Sequence, residues 1–137
     1  MPYQQLEHPT DIRLRVWGRN LAELFQDALL GMMQILKSQI LNLKSQKLSE
    51  RKIVVQSNDQ TALLIDFLNE VLYQSQVNRE IYTKIEFDKL TEKELQARLF
   101  GYGIAEFDED IKAVTYHQAE IKKTPEGNYE TIILFDI

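Results

Sequence analysis

Two long runs of helical periodicity followed by an unbroken series of alternating segments limit what this chain can fold into. From Leu21 the apolar residues Leu24, Phe25, Ala28, Leu29, Met32 and Leu36 recur at helical spacing, and Leu63, Leu64, Phe67, Leu68, Val71 and Leu72 do so again. Beyond Asn78 the period drops to two. Ile81, Thr83, Ile85 and Phe87 alternate with Tyr82, Lys84 and Glu86, and Leu95, Ala97 and Leu99 alternate with Gln96 and Arg98. Two amphipathic helices combined with strands gathered in the second half define an α+β protein.

The element boundaries follow from local chemistry. Ile12, Leu14 and Val16 alternate with Arg13, Arg15 and Trp17 as a first strand, which Gly18 ends. Asn20 with Glu23 three residues later resembles a capping box for the first helix. From Ser38 to Lys52 the chain is polar and rich in lysine, with Ile40, Leu41 and Leu43 as its sizeable apolar cluster, a pattern compatible with a continued helix or with a loop. Ile53 to Val55 reads as a short strand. Ser57, Asn58 and Asp59 offer caps for a second helix ending near Asn78. Two further strands are expected over Val114 to Lys122 and Tyr129 to Phe135, joined by Thr124-Pro125-Glu126-Gly127-Asn128, where proline presets φ and glycine tolerates positive φ. The expected order is β-α-β-α-β-β-β-β, a single domain over residues 1–137 with a mainly antiparallel or mixed sheet and two amphipathic helices packed on it.

Charge and composition narrow the partners. Asp and Glu number 21 against 16 Lys and Arg, giving a net charge of −5, so the overall field repels phosphates and strong direct binding to nucleic acid is not expected. Docking on a basic protein remains compatible with that field. Cysteine is absent, which removes thiolate zinc sites and cysteine nucleophiles. The N-terminus lacks the basic and apolar regions of a signal peptide, and no stretch approaches the ~20 apolar residues of a membrane span, so a cytoplasmic protein with no membrane partner is expected. Gly-rich phosphate loops, nucleophile elbows, HExxH and the basic aromatic-studded sheet of RNA-recognition domains are all missing.

Four segments, in order, carry a resemblance that covers nearly the whole chain. They are Glu7-His8-Pro9-Thr10-Asp11-Ile12 with the following strand, Gly18 and Leu21-Ala22-Glu23-Leu24-Phe25; Leu64 to Tyr73, with Leu68-Asn69-Glu70-Val71-Leu72-Tyr73 at its centre; Ile111-Lys112-Ala113-Val114-Thr115-Tyr116-His117; and Ile133-Leu134-Phe135-Asp136-Ile137. Together they resemble the archease family. Two positions depart from its pattern: the family usually reads His-Thr-Ala-Asp where this chain has His8-Pro9-Thr10-Asp11, and a small residue is common where Arg13 stands. Neither replaces the aspartate, although Pro9 stiffens the approach to it.

The resemblance implies a divalent-cation site, for calcium, magnesium or manganese, formed by the Asp11 and Asp136 side chains and the backbone carboxylate of Ile137. It also implies that Lys112 lies near that centre, and Lys112 and His117 are expected to contact a partner or a phosphate. The implied activity is that of a protein cofactor that promotes guanylylation and multiple turnover of an RtcB-type RNA ligase in tRNA splicing or RNA repair, without being the catalyst. Hard cations favour anionic oxygen ligands, which suits such a trio. The alternative is a metal-dependent hydrolase of small phosphoesters using Asp11, Asp136 and His117, which lacks an obvious general base in a cleft.

Each of these residues also has a plainer reading. Asp11 alone is a strand-edge aspartate, Asp136 a solvated residue and Lys112 an ordinary exposed lysine. His8 and His117, the only histidines, exclude a histidine-rich metal cluster and read as hydrogen-bonded structural residues. Asn69 and Glu70, a polar pair on an apolar helix face, are expected to cap or bridge buried backbone. Glu106, Asp108, Glu109 and Asp110 lack the ligand pattern of an EF-hand and read as a solvated loop or a docking patch for a basic surface.

Overall fold

The computed structural model describes residues 2–8, 11–38, 47–116 and 119–137, with 5–8 as backbone alone. The elements are β1 (Tyr3–His8), β2 (Asp11–Gly18), α1 (Leu21–Leu36), β3 (Ser49–Gln56), α2 (Gln60–Asn78), β4 (Glu80–Leu90), β5 (Glu94–Gly103), β6 (Ala113–Thr115), β7 (Lys122–Lys123) and β8 (Tyr129–Asp136). Every strand pairing is antiparallel. The class and the two helices stand as expected. Alternation alone did not specify that the strands divide between two sheets, one ordered β1-β2-β8-β6 with β7 also on β8, the other β3-β5-β4.

The helices lie between the sheets. α1 packs on β2 of the first sheet and β4 of the second, while α2 packs on β3, β4 and β5 and, across from them, on β6. This layering follows from the sequence of α1, whose buried residues Leu24, Phe25, Ala28, Leu29, Met32, Met33 and Leu36 cover more than one stripe and need neighbours on both sides. Gly31 lets β2 approach: a Cβ there would sit 2.4 Å from Leu14 Cδ2 and 3.2 Å from Tyr3 Cγ. The Phe25 and Phe67 rings stack at 5.4 Å and join the two helices. Full burial of such side chains stabilises by about 1.5–3 kcal/mol each, so this shared layer is the main anchor of both sheets.

Capping chemistry sets the helix ends. Asn20 accepts from the Glu23 N–H at 2.8 Å, but the reciprocal half of the box is shifted by one residue, because Glu23 accepts from the Arg19 N–H at 3.3 Å. α1 stops at Leu36, and Asp108 fastens that end by accepting from the Ser38 N–H and hydroxyl at 2.9 and 3.0 Å. Residues 39–46, including Ile40, Leu41 and Leu43, lie outside the described residues. Asp59 caps α2 through the Ala62 N–H at 2.8 Å, and the helix closes at Asn78 with Arg79 in the left-handed conformation at φ 52°. Gly127 adopts φ 87° in the turn before β8, as the Pro-Glu-Gly-Asn sequence requires.

Two local expectations change. Tyr3–His8 forms a strand that the mostly polar sequence did not announce, and the segment expected as one strand from Val114 to Lys122 is two short ones, β6 and β7.

Candidate functional site

The two ends of the sequence meet in adjacent strands. In the β2/β8 ladder Asp11 stands directly opposite Asp136, and in the β6/β8 ladder Ala113 does so from the other side. The next residue back, Lys112, donates its N–H to the Asp136 carbonyl at 2.7 Å. Side chains alternate along a strand, and Leu14, Ile133 and Phe135 are buried in the core, so Asp11 and Asp136 share the opposite face of the sheet. Ile137 packs against the core and holds the end of β8 in place. Asp11, Asp136, Ile137 and Lys112 are therefore together at one end of one sheet; His117 lies outside the described residues.

Directly opposed residues in an antiparallel pair have Cβ atoms roughly 4.5–5.5 Å apart, and like charges there are destabilising. A half-buried Asp11 against an exposed Asp136 is such a pair. Two carboxylates opposed in this register supply hard anionic oxygens, the donor chemistry that suits calcium, magnesium or manganese. No group of three or more His, Asp or Glu side chains that could hold a metal occurs among the described residues. Any cation between these two aspartates needs further oxygens from backbone, water or a ligand.

The helix layer fixes where Lys112 stands. Asn69 of α2 accepts from the Val114 N–H at 2.9 Å and donates to the Val114 carbonyl at 2.8 Å, pairing with β6 as a neighbouring strand would. Seven residues on, Gln76 donates to the Ile111 carbonyl at 2.8 Å. With Ile111 buried, the segment carrying Lys112 is clamped on both sides while Lys112 itself stays exposed. Asn69 thus bridges backbone, as its place on an apolar helix suggested; Glu70 makes no such bridge among the described residues.

The match to known proteins follows this architecture from end to end. The model of the Archease protein family matches residues 3–137. The chain belongs to the archease family. It is 30% identical to Protein archease of Methanosarcina mazei, with 98% of this chain and 95% of that one covered, and 32% identical to Protein archease of Pyrococcus abyssi, with 98% of each covered. In fold it is similar to the solution structure of Methanobacterium thermoautotrophicum protein 1598, with a TM-score of 0.77 at 23% identity over 99% of both chains. It also resembles the Thermotoga maritima crystal structure described as an archease, "possible chaperone", with a TM-score of 0.69 at 16% identity over 98% of this chain and 96% of that one. No helix among the described residues is long and apolar enough to cross a membrane.

Elsewhere in this archease-family chain several ionisable groups are held in hydrogen-bonded networks. Glu80 is buried and receives Arg51 Nε and Nη2 at 2.9 and 3.0 Å and the Tyr82 hydroxyl at 2.9 Å. Burial opposes its charge, but the Arg51 guanidinium and the Tyr82 and Ser49 hydroxyls outweigh that and hold the Glu80 carboxyl below the usual range. Burial beside that carboxylate pushes the Tyr82 phenol well up. The Tyr116 hydroxyl donates to Asp66, which with burial raises the phenol to about 12. In the acidic loop, the hydrogen bonds from Ser38 lower the Asp108 carboxyl, and the Asp108 N–H donates to the Leu36 carbonyl at the end of α1 at 2.8 Å. None of these networks was apparent from sequence. Their signal is only a charged or hydroxylic residue at an inward position, and Glu80, coming just after a helix end, looks like a surface acid.

Proposed function

We propose that this protein is an accessory factor that promotes guanylylation and turnover of an RtcB-type RNA ligase, acting through a divalent cation held by Asp11, Asp136 and the terminal carboxylate of Ile137. Support comes from family membership and, above all, from the ladder register that sets Asp11 opposite Asp136 with Lys112 hydrogen-bonded alongside. Two opposed carboxylates cost stability unless something positive sits between them, and a hard cation is the partner that oxygen-only ligands select. When bound, such an ion would neutralise charge on nucleotide phosphates. This chain's residues supply the rest: the aspartates orient toward one point, the Ile137 side chain anchors the strand end, and the Asn69 clamp presents Lys112 to a partner or phosphate. The acidic surface suits docking on a basic protein rather than on RNA itself.

The test is a guanylylation time course of a matching ligase with GTP and cation, with and without sub-stoichiometric amounts of this protein. Stimulation by wild type, lost in Lys112→Ala at an unchanged melting temperature, is the expected result. Equal stimulation by the variant removes Lys112 from the site, and turnover of small phosphoesters by the protein without any ligase overturns the accessory role.

A further inference from the structure

The edge of a β-sheet carries a row of backbone N–H and C=O groups that a further strand can complete, and folds that stay monomeric guard it with like charges, proline or a bulge. The two edges of the three-stranded sheet differ in this respect. β4 shifts its register with β5 twice, between Tyr82 and Lys84 and between Phe87 and Lys89, so Thr83 and Asp88 interrupt the ladder. β3 is unbroken, with consecutive rungs from Ser49 opposite Gly101 to Gln56 opposite Glu94. The middle of β3 is open to both faces. Glu50, Lys52 and Val54 are exposed on the outer side, while Arg51, on the inner side with the buried Ile53 and Val55, keeps 41% of its side chain exposed although it pairs with Glu80.

The outward residues here read apolar, acidic, basic, apolar: Leu48 just before the strand, then Glu50, Lys52 and Val54. Leu48 and Val54 are left 51% and 65% exposed. This order is its own complement when the strand is turned round. In an antiparallel pairing of two β3 strands about Arg51, Glu50 stands opposite Lys52 of the second copy and Leu48 opposite Val54, and each pair occurs twice. Directly opposed residues share a face, so the neighbouring registers that keep outward residues together set Lys52 against Lys52 or Glu50 against Glu50, which like-charge repulsion disfavours. Within the chain Lys52 already faces Arg98 across the β3/β5 ladder, and a carboxylate on its other side balances that like charge. The two Arg51 side chains meet at the two-fold axis, but each carries its own Glu80 carboxylate at 2.9 and 3.0 Å, so two ion pairs meet there and not two bare cations.

We infer that β3 is a self-association edge, at which two copies of this chain pair antiparallel about Arg51 and join their three-stranded sheets into one continuous sheet. The contact is isologous, as the self-complementary order requires. A single edge strand is a small contact beside the roughly 800 Å² per partner of a standard interface, so the association is reversible and depends on concentration. It lies on the sheet that does not carry Asp11 and Asp136 and is independent of the cation reading proposed above.

Sedimentation of the full chain over a concentration series tests it, with Glu50→Lys, Lys52→Glu and the chain carrying both exchanges, all expected to melt as wild type does. Wild type should pass from monomer to dimer as concentration rises. Each single variant sets like charges opposite each other twice and should weaken the association about tenfold or more. The double exchange restores both opposite-charge pairs within a homodimer, and an equimolar mixture of the two single variants restores them within a heterodimer. Both should associate as wild type does. A wild-type chain that stays monomeric throughout, single variants that associate as strongly as wild type, or a double exchange and a mixture that both remain monomeric would each overturn the inference.

Discussion

In the three-stranded sheet the buried Glu80 carboxylate is met by Arg51 at 2.9 and 3.0 Å and by Tyr82 at 2.9 Å, whereas in the larger sheet two aspartates stand opposite each other across a single ladder. The first arrangement is closed: opposite charges and hydroxyls surround the acid, and nothing further is needed. The second sets like charges opposite each other by register, beside an arginine whose buried Nε has no partner among the described residues.

Mutation separates the two regions by sign as well as size. Glu80→Ala should lower stability most, by roughly 2–3 kcal/mol in chemical denaturation, because it strands a guanidinium and a buried hydroxyl. The same carboxylate gives a pH signature. Its folded pKa lies below the unfolded value, so its contribution is complete above the unfolded pKa of about 4.3 and is lost as pH falls through the folded one. Wild type should lose this increment on acidification below that point, and Glu80→Gln should show a shallower acid limb; parallel limbs would break the contrast. Asn69→Leu should cost about 1–2 kcal/mol by leaving the Val114 N–H and carbonyl unpaired, read as faster amide exchange at Val114. Asp136→Asn, measured without divalent cations, should move the other way and raise stability by about 0.5 kcal/mol as like-charge repulsion is relieved. A marked loss of stability in that variant would mean that the aspartate pair is a closed structural network after all.

Much of the helical architecture was legible in the sequence, because apolar residues at helical spacing and side-chain caps at Asn20 and Asp59 are local signals. Strand partners were not, since alternation tells which face of Ile81–Phe87 is apolar but not whether it joins β8 or β5. Tyr3–His8 escaped notice because Gln4, Gln5, Glu7 and His8 hide the alternation, and the strand exists by pairing with β2. At the candidate site, Asp11 and Asp136 were singled out by resemblance rather than by pattern; their proximity depends on a register between residues 125 positions apart. Lys112 looked like any exposed lysine until Asn69 and Gln76 were seen to clamp its flanks. Arg13 read as the polar half of an alternating strand, because the lack of a partner for its Nε is a property of the folded surroundings alone.

The central claim, that the opposed aspartates hold a divalent cation, is tested most directly by thermal unfolding of the protein, free of tags after Ile137, across a titration of calcium and magnesium. A cation that binds only the folded state adds about 2.7 kcal/mol at a hundred times its dissociation constant, so the wild-type melting temperature should climb with concentration while that of Asp136→Asn stays flat. A wild-type protein whose melting temperature ignores both cations, or an Asp136→Asn variant that responds equally, would contradict it.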